Sequence, residues 1–400
     1  MQRKLDAMAT GSCLYYHGPE FADYFFGPDH AFHPIRQQLT ADLLVKAGLL
    51  APERIAPPRH ATDGELRLFH RQEYIDAVRA AGQNPPRLAL PSHGIGTADN
   101  PAFSRMHEAG AARVGATLDA VMRVIEGQVE HCVNFGGGLH HALPDRASGF
   151  CIYNDIGVAI SWLRAEYDCK VAYIDFDAHH GDGVQWGFYG DPDVLTISIH
   201  ESGRYLFPGT GDVDEIGEGD ARGACVNIPL LPHTDGASWL ECVETVVPEV
   251  LDAFRPDFVI SQHGCDAHRL DPLTHLAVDT GAMEKATDIV HRLAHEYAGG
   301  RWVALGGGGY SLWQVVPRAW GLVWANATDQ TPGERLPAHW IEAWQDRAPA
   351  PLPSQWHDVL DQPVIKDAAD LEGAWRAGEN RKIAELALKN SLEHLRRRRH

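Results

Sequence analysis

The stretch from Val171 to Gly183, V-A-Y-I-D-F-D-A-H-H-G-D-G, constrains this chain more than any other. It begins as a short apolar run, the pattern of a strand buried on both faces of a sheet. It then carries Asp175, Asp177, His179, His180 and Asp182 in quick succession. Residues two apart in an extended chain point the same way, so Asp175, Asp177 and His179 share a face as the strand runs out. Carboxylates and an imidazole at the end of a buried strand are costly unless something there pairs with them. A divalent cation meets that demand, because carboxylate oxygen and neutral imidazole nitrogen are both metal ligands. A solvated loop with a glycine turn is the plainer alternative. It is disfavoured because ordinary loops seldom crowd so many titratable groups against an apolar strand.

The rest of the composition narrows the class. With 44% apolar and 22% charged residues in a chain of 400, a sizeable core is available. The formal charge of −19 disfavours nucleic acid and anionic membranes as partners. Cys13, Cys132, Cys151, Cys169, Cys225, Cys242 and Cys265 are scattered with no C-x-x-C pair, which suits reduced thiols in a cytoplasm. The first ten residues lack the apolar segment of a secretory signal, and no apolar stretch is long enough to span a bilayer. A soluble cytoplasmic protein is expected.

Strand-like runs occur at Cys13–His17, Cys132–Phe135, Val171–Phe176, Val194–Ile199, Cys225–Ile228, Phe258–Ser261 and Trp302–Leu305. Helical periodicity marks Ala41–Leu50, Glu73–Ala81, Ser104–Gly127, Asp155–Tyr167, Ala237–Phe254 and Met283–Tyr297. Asn84–Asn100, rich in Pro, Gly and Asn, reads as a loop. This alternation predicts an α/β fold: a single domain with a central, mostly parallel sheet flanked by helices. Polar, glycine-rich segments follow nearly every strand, which puts the ligand site at the C-terminal edge of the strands. From Pro332 the chain reads as irregular, and Ala368–Arg399 as one or two helices ending in a solvated arginine run.

Several loops could join that site. Gly136–Gly138 is followed by His140 and His141, for which Asp175 and Asp182 are available partners. A carboxylate-held imidazole has a fixed tautomer and raised basicity, suited to proton transfer near neutral pH. Asp266 ends the strand-like run at Phe258 and is either a helix cap or a second carboxylate ligand. The glycines of G-G-G-G-Y leave Tyr310 the only side chain near a sharp turn, where its hydroxyl can donate to a developing oxyanion. No G-K-[ST] or G-x-G-x-x-G is present, so nucleotide binding has little support. Gly149-Phe150 and Phe207 put aromatic rings on loops of the same edge; they are core packing or the walls of a narrow apolar slot for an extended methylene chain.

In this order and spacing, G-F-C-I-Y-N-D, D-F-D-A-H-H-G-D-G-V-Q, F-P-G-T-G, Q-H-G-C-D and G-G-G-G-Y resemble the histone deacetylase superfamily, with its arginase/deacetylase fold. D-A-H-H-G-D-G-V-Q-W and S-I-H-E-S-G-R-Y-L-F-P-G-T-G are especially similar to the bacterial acetoin-utilisation-type deacetylases. The resemblance runs from about His17 to about Trp320. It implies a catalytic domain over 1–330 and a helical extension over 331–400, packed on it or trailing from it.

By the same resemblance Asp177, His179 and Asp266 would be zinc ligands, with Fe2+ tolerated by the set. His140 and His141 would be the acid/base pair, backed by Asp175 and Asp182, and Tyr310 would polarise the acetyl carbonyl. Gly149, Phe150, Phe207 and Leu273 would line the acyl-lysine channel, and Asp99 would hold the substrate backbone at its rim. A structural potassium would sit on Asp175, Asp177, His179, Ser198 and Ile199, and a second on main-chain oxygens around Phe188, Asp191 and Val194. Arg36 would match an internal-channel arginine, and Leu139 stands where several relatives carry an aromatic. The implied activity is removal of acetyl groups from lysine in proteins, acetylated acetyl-CoA synthetase being the leading substrate in acetoin or acetate metabolism. An acetylpolyamine hydrolase, a two-metal ureohydrolase and a non-catalytic acyl-lysine-binding module are the alternatives. Leu273 argues against the first, the single D-x-H against the second, and the full set of site residues against the third.

Overall fold

The apolar runs become the strands of one sheet in the computed structural model, which describes residues 12–83, 89–359 and 369–399. They are β1 (Cys13–Tyr16), β2 (Ile55–Ala56), β3 (His131–Asn134), β4 (Val171–Asp175), β5 (Val194–Glu201), β6 (Cys225–Leu230), β7 (Phe258–Gln262) and β8 (Trp302–Leu305). Their order is β2-β1-β3-β8-β7-β4-β5-β6, and every pair is parallel. The helices are α1 (Ile35–Lys46), α2 (Asp63–Leu66), α3 (Gln72–Ala81), α4 (Met106–Ile125), α5 (Asp155–Tyr167), α6 (Asp182–Gly187) and α7 (Gly236–Phe254). They continue with α8 (Thr280–Ala298), α9 (Val316–Ala327), α10 (Ala338–Trp344) and α11 (Ala369–Leu395). The chain is thus a single α/β domain, as its pattern of strands and helices predicts.

Alternation along β4 shows how the sheet is covered. Val171 and Tyr173 pack with Val121, Val124, Ile156 and Ile160 of α4 and α5. Ala172 and Ile174 face the other way, into Val243, Val247, Val290 and Trp320 of α7, α8 and α9. Both faces are apolar because both are buried, the usual condition of a parallel sheet. Asn154, Asp235 and Asp279 start α5, α7 and α8 by accepting hydrogen bonds from first-turn amides.

The sequence reading names no helix at α2, α6 or α9, and three further elements differ from it. α1 runs from Ile35 to Lys46 rather than from Ala41 to Leu50, because its buried face carries Arg36, Gln37 and Thr40, which hide the apolar period. All three are bonded: Arg36 Nη1 to Gly309 O (3.2 Å), Gln37 Nε2 to Phe135 O (3.3 Å) and Thr40 Oγ1 to Arg36 O (2.8 Å). The two-residue β2 is too short to show alternation. The stretch after Pro332 is not irregular throughout, since α10 buries Trp340 and Trp344 against α1, where Trp344 Nε1 donates to Asp42. Ala368, the start of the expected C-terminal helix, and residues 84–88 of the expected loop lie outside the described residues.

The segment after α10 is fastened at Asp358. One carboxylate oxygen accepts from Thr280 N (2.9 Å) at the start of α8 and lies 2.8 Å from His268 Nε2. The other accepts from Arg318 Nη2 of α9 at 3.0 Å, in a pair almost closed to water. Removing one partner of a buried pair strands the other's charge. Asp358→Ala should therefore destabilise the chain by about 3–5 kcal/mol, read as a lower urea midpoint at unchanged slope.

Candidate active site

Strands β3, β8, β7 and β4 are neighbours, so the loops leaving their C-terminal ends meet over the middle of the sheet. Those loops carry His140 and His141, Tyr310, Asp266, and Asp177 with His179.

Asp177, His179 and Asp266 are all buried, and one donor atom from each lies within 4.8 Å of the others. His179 Nδ1 is 2.8 Å from Asp266 Oδ2 and 3.2 Å from Asp177 Oδ1. The surrounding backbone is glycine because nothing larger fits. A Cβ at Gly264 or Gly307 would press on the Asp177 carboxylate, and one at Gly308 would strike Asp266. Electrostatics shows what the trio lacks. Burial and the Asp177 charge push Asp266 up to about 7, while the two carboxylates overcome burial to push His179 up to about 10. The cluster draws positive charge to itself, and two carboxylates with one imidazole fit a divalent metal ion.

The histidine pair stands beside it. His140 Nδ1 is 2.8 Å from Asp175 Oδ2, His141 Nδ1 is 2.7 Å from Asp182 Oδ1, and the two Nε2 atoms are 3.0 Å apart. Their environments divide them. Asp175 and Asp177 outweigh burial and raise His140 to about 9. Burial and the neighbouring His140 lower His141 to about 4. Near neutral pH one ring is charged and the other is a free base, a pairing that suits acid/base work.

Tyr310 stands edge-on to His179, with ring centres 6.4 Å apart. Burial and the charges of Asp266 and Asp177 hold its phenol protonated, hence a donor. Its main-chain N–H donates to Asp271 Oδ2 at 2.7 Å, and Asp271 Oδ1 accepts from Leu273 N at 3.0 Å. Phe207 crosses His141 at 5.0 Å, and Phe150 crosses Tyr310 at 5.8 Å. Gly149 and Phe150 both have positive φ (48° and 68°), and a Cβ at Gly149 would run into the His141 ring. Phe207 and Leu273 are 44% and 37% exposed.

The remaining expected residues lie further out. Asp99 is exposed; its main-chain oxygen is 3.2 Å from His30 Nε2, and the His30 ring meets Phe150 at 4.7 Å. Ser198 pairs with Asp175 across β4 and β5, with Ile199 beside it. Phe188, Asp191 and Val194 form successive turns in which Asp191 N donates to Phe188 O (3.0 Å) and Val194 N to Asp191 O (3.3 Å). The buried Arg36 guanidinium lies over Phe32 and Trp320 behind the glycine turn, and Leu139 is buried.

Sequence reasoning assigned no role to three supporting residues. Gln262 Nε2 lies 3.2 Å from Asp177 Oδ2 and 3.0 Å from His140 Nδ1. The Tyr173 hydroxyl sits 2.7 Å from Asp175 Oδ2 and 2.8 Å from Gln262 Oε1. Asp155 accepts from Gly138 N (3.1 Å) and Leu139 N (2.8 Å), fixing the loop before the histidines. The available signal was positional: Gln262 and Tyr173 lie in strands that end at the site, and Asp155 opens a helix beside it.

A parallel sheet with carboxylate-held imidazoles and an Asp-His-Asp trio at its C-terminal edge is the architecture of a hydrolase of the α/β class. The histone deacetylase domain matches residues 30–327, and the chain belongs to that family, whose chemistry is hydrolytic deacetylation. It is 48% identical to the acetoin utilization protein AcuC of Bacillus subtilis over 349 residues, covering 87% of this chain and 90% of that one. It is 42% identical to AcuC of Staphylococcus aureus (strain MSSA476), over 88% and 91% of the two chains. The crystal structure of an HDAC homolog from Aquifex aeolicus superposes with a TM-score of 0.82 at 29% identity, over 94% of this chain and 99% of that one.

The glycine cradle gives a direct test. Gly308→Ala should displace the Asp266 carboxylate and lower bound metal, measured by elemental analysis, while the far-ultraviolet circular dichroism stays that of the parent.

Proposed function

We propose that this chain is a metal-dependent lysine deacetylase that removes acetyl groups from proteins. The observation that carries the reading is the buried Asp177-His179-Asp266 trio beside two carboxylate-held histidines whose Nε2 atoms lie 3.0 Å apart, with the Phe150 and Phe207 rings next to them. Zinc held by the trio, or Fe2+ on the same donors, supplies Lewis-acid polarisation of the acyl oxygen and a water made acidic enough to attack. Each other task falls to a side chain. His141 Nε2 accepts the proton of the attacking water, with Asp182 fixing its Nδ1 tautomer. Tyr310 donates from its hydroxyl to the acyl oxygen as negative charge develops there. His141 then returns a proton to the departing amine, and the charged His140 beside it favours that transfer. Asp175 keeps His140 charged.

The walls match the substrate class. Phe150 and Phe207, with Gly149 leaving room between them, hold the lysine methylenes, and Asp99 and Leu273 meet the peptide outside. Asp175, Asp177, His179, Ser198 and Ile199 hold a structural potassium, and the turns at Phe188, Asp191 and Val194 hold a second. Given its acetoin-utilization relatives, acetylated acetyl-CoA synthetase is the proposed substrate. Seven buried, unpaired thiols support a reducing cytoplasmic setting. The −19 charge speaks against nucleic acid, and no described helix is long and apolar enough to cross a membrane.

Tyr310→Phe should lower kcat by about 10²–10³-fold, and His141→Ala by about 10²–10⁴-fold. Both should keep the metal content of the parent; a His141→Ala enzyme of normal rate overturns the assigned role. Parallel assays on an acetyl-lysine peptide and on N-acetylspermidine should favour the peptide. Chelator should abolish that turnover, and added Zn2+ should restore it.

A further inference from the structure

A second group of ligating side chains lies at the opposite edge of the sheet. His131 is the first residue of β3, the strand whose other end leads to His140. His291 and His295 are one turn apart on the same face near the end of α8. Their three Nε2 atoms converge: 3.1 Å for His131–His291, 3.2 Å for His131–His295 and 3.1 Å for His291–His295. The ring planes cross at 87°, 89° and 55°, so no two of the rings stack face to face. His131 and His291 are buried, the latter stacked on Trp302 at 5.2 Å.

Hydrogen bonding does not account for this triangle. An imidazole nitrogen presents either one N–H or one lone pair, in the plane of its ring. Three nitrogens with two options must include two alike. At least one contact therefore sets N–H against N–H or lone pair against lone pair. Adding protons makes every nitrogen a donor and crowds like charges. A cation shared by three lone pairs removes the conflict. Tetrahedral zinc, with Zn–N of about 2.0–2.1 Å, holds its ligand nitrogens about 3.3 Å apart. The separations here, 3.1–3.2 Å, fall just inside that value.

We propose that His131, His291 and His295 form a second metal site, distinct from the Asp177 centre, that takes a zinc-class divalent ion through three Nε2 atoms. Three imidazoles and no carboxylate select a borderline transition metal over magnesium or calcium. The Glu130 carboxylate lies 3.8 Å from His295 Nδ1, an anion behind a ligand that favours the required tautomer. The His295 side chain is 44% exposed, which gives the ion an entry path and leaves a fourth position to water. The ion clamps the start of β3 to the end of α8.

The test uses the full chain, stripped of metal and titrated with Zn2+. The parent should bind two equivalents, and His295→Ala one with its deacetylase rate unchanged. Asp266→Ala should also bind one, and Zn2+ should raise its melting temperature. That rise should vanish in Asp266→Ala/His295→Ala. Equal zinc content in the parent and His295→Ala, or a melting shift that survives in the double variant, overturns the proposal. Equal content in the parent and Asp266→Ala would instead count against the Asp177 centre, so the two readings fail separately.

Discussion

Two carboxylates buried within reach of one imidazole set the terms for the rest of this structure. Asp177 and Asp266 come from different strands and repel each other; only positive charge between them makes their burial tolerable. The site is accordingly built to concentrate negative charge and compensate for it. Main-chain N–H groups of Gly308 and Ala178 donate to Asp177 and Asp266 at 2.6 and 2.8 Å. Glycines bring that backbone close, and the parallel sheet supplies adjacent strand ends from which such loops converge.

The same field divides the two histidines. His140 lies between Asp175 and the trio and keeps its proton; His141, one residue on, faces His140 and gives its proton up. His140 depends on the carboxylates to stay charged, whereas burial already favours a neutral His141. The difference comes from which carboxylate each faces and from burial, which makes every nearby charge count for more.

Much of this was legible in the sequence because strand alternation and ligand spacing are local signals. Val171 to Gly183 shows a strand, its end and two of the clustered side chains in one line, and the loops bearing His140, Asp266 and Tyr310 each follow an apolar run. What remained hidden depends on distant partners. Arg36 and Gln37 look like surface residues until the main chain of Gly309 and Phe135 is in place to accept from them. Gln262 is an ordinary strand residue until folding brings Asp177, His140 and Tyr173 around it. The His131 cluster joins residues 160 apart in sequence, and only the one-turn spacing of His291 and His295 is local.

Asp271 ties two segments of the site together, receiving the amide of Leu273 with one oxygen and that of Tyr310 with the other. The loop at Leu273 and the backbone that carries the Tyr310 ring therefore share one anchor. A substitution that shifts the loop at Leu273 would pull on Tyr310 as well, because a single carboxylate holds both.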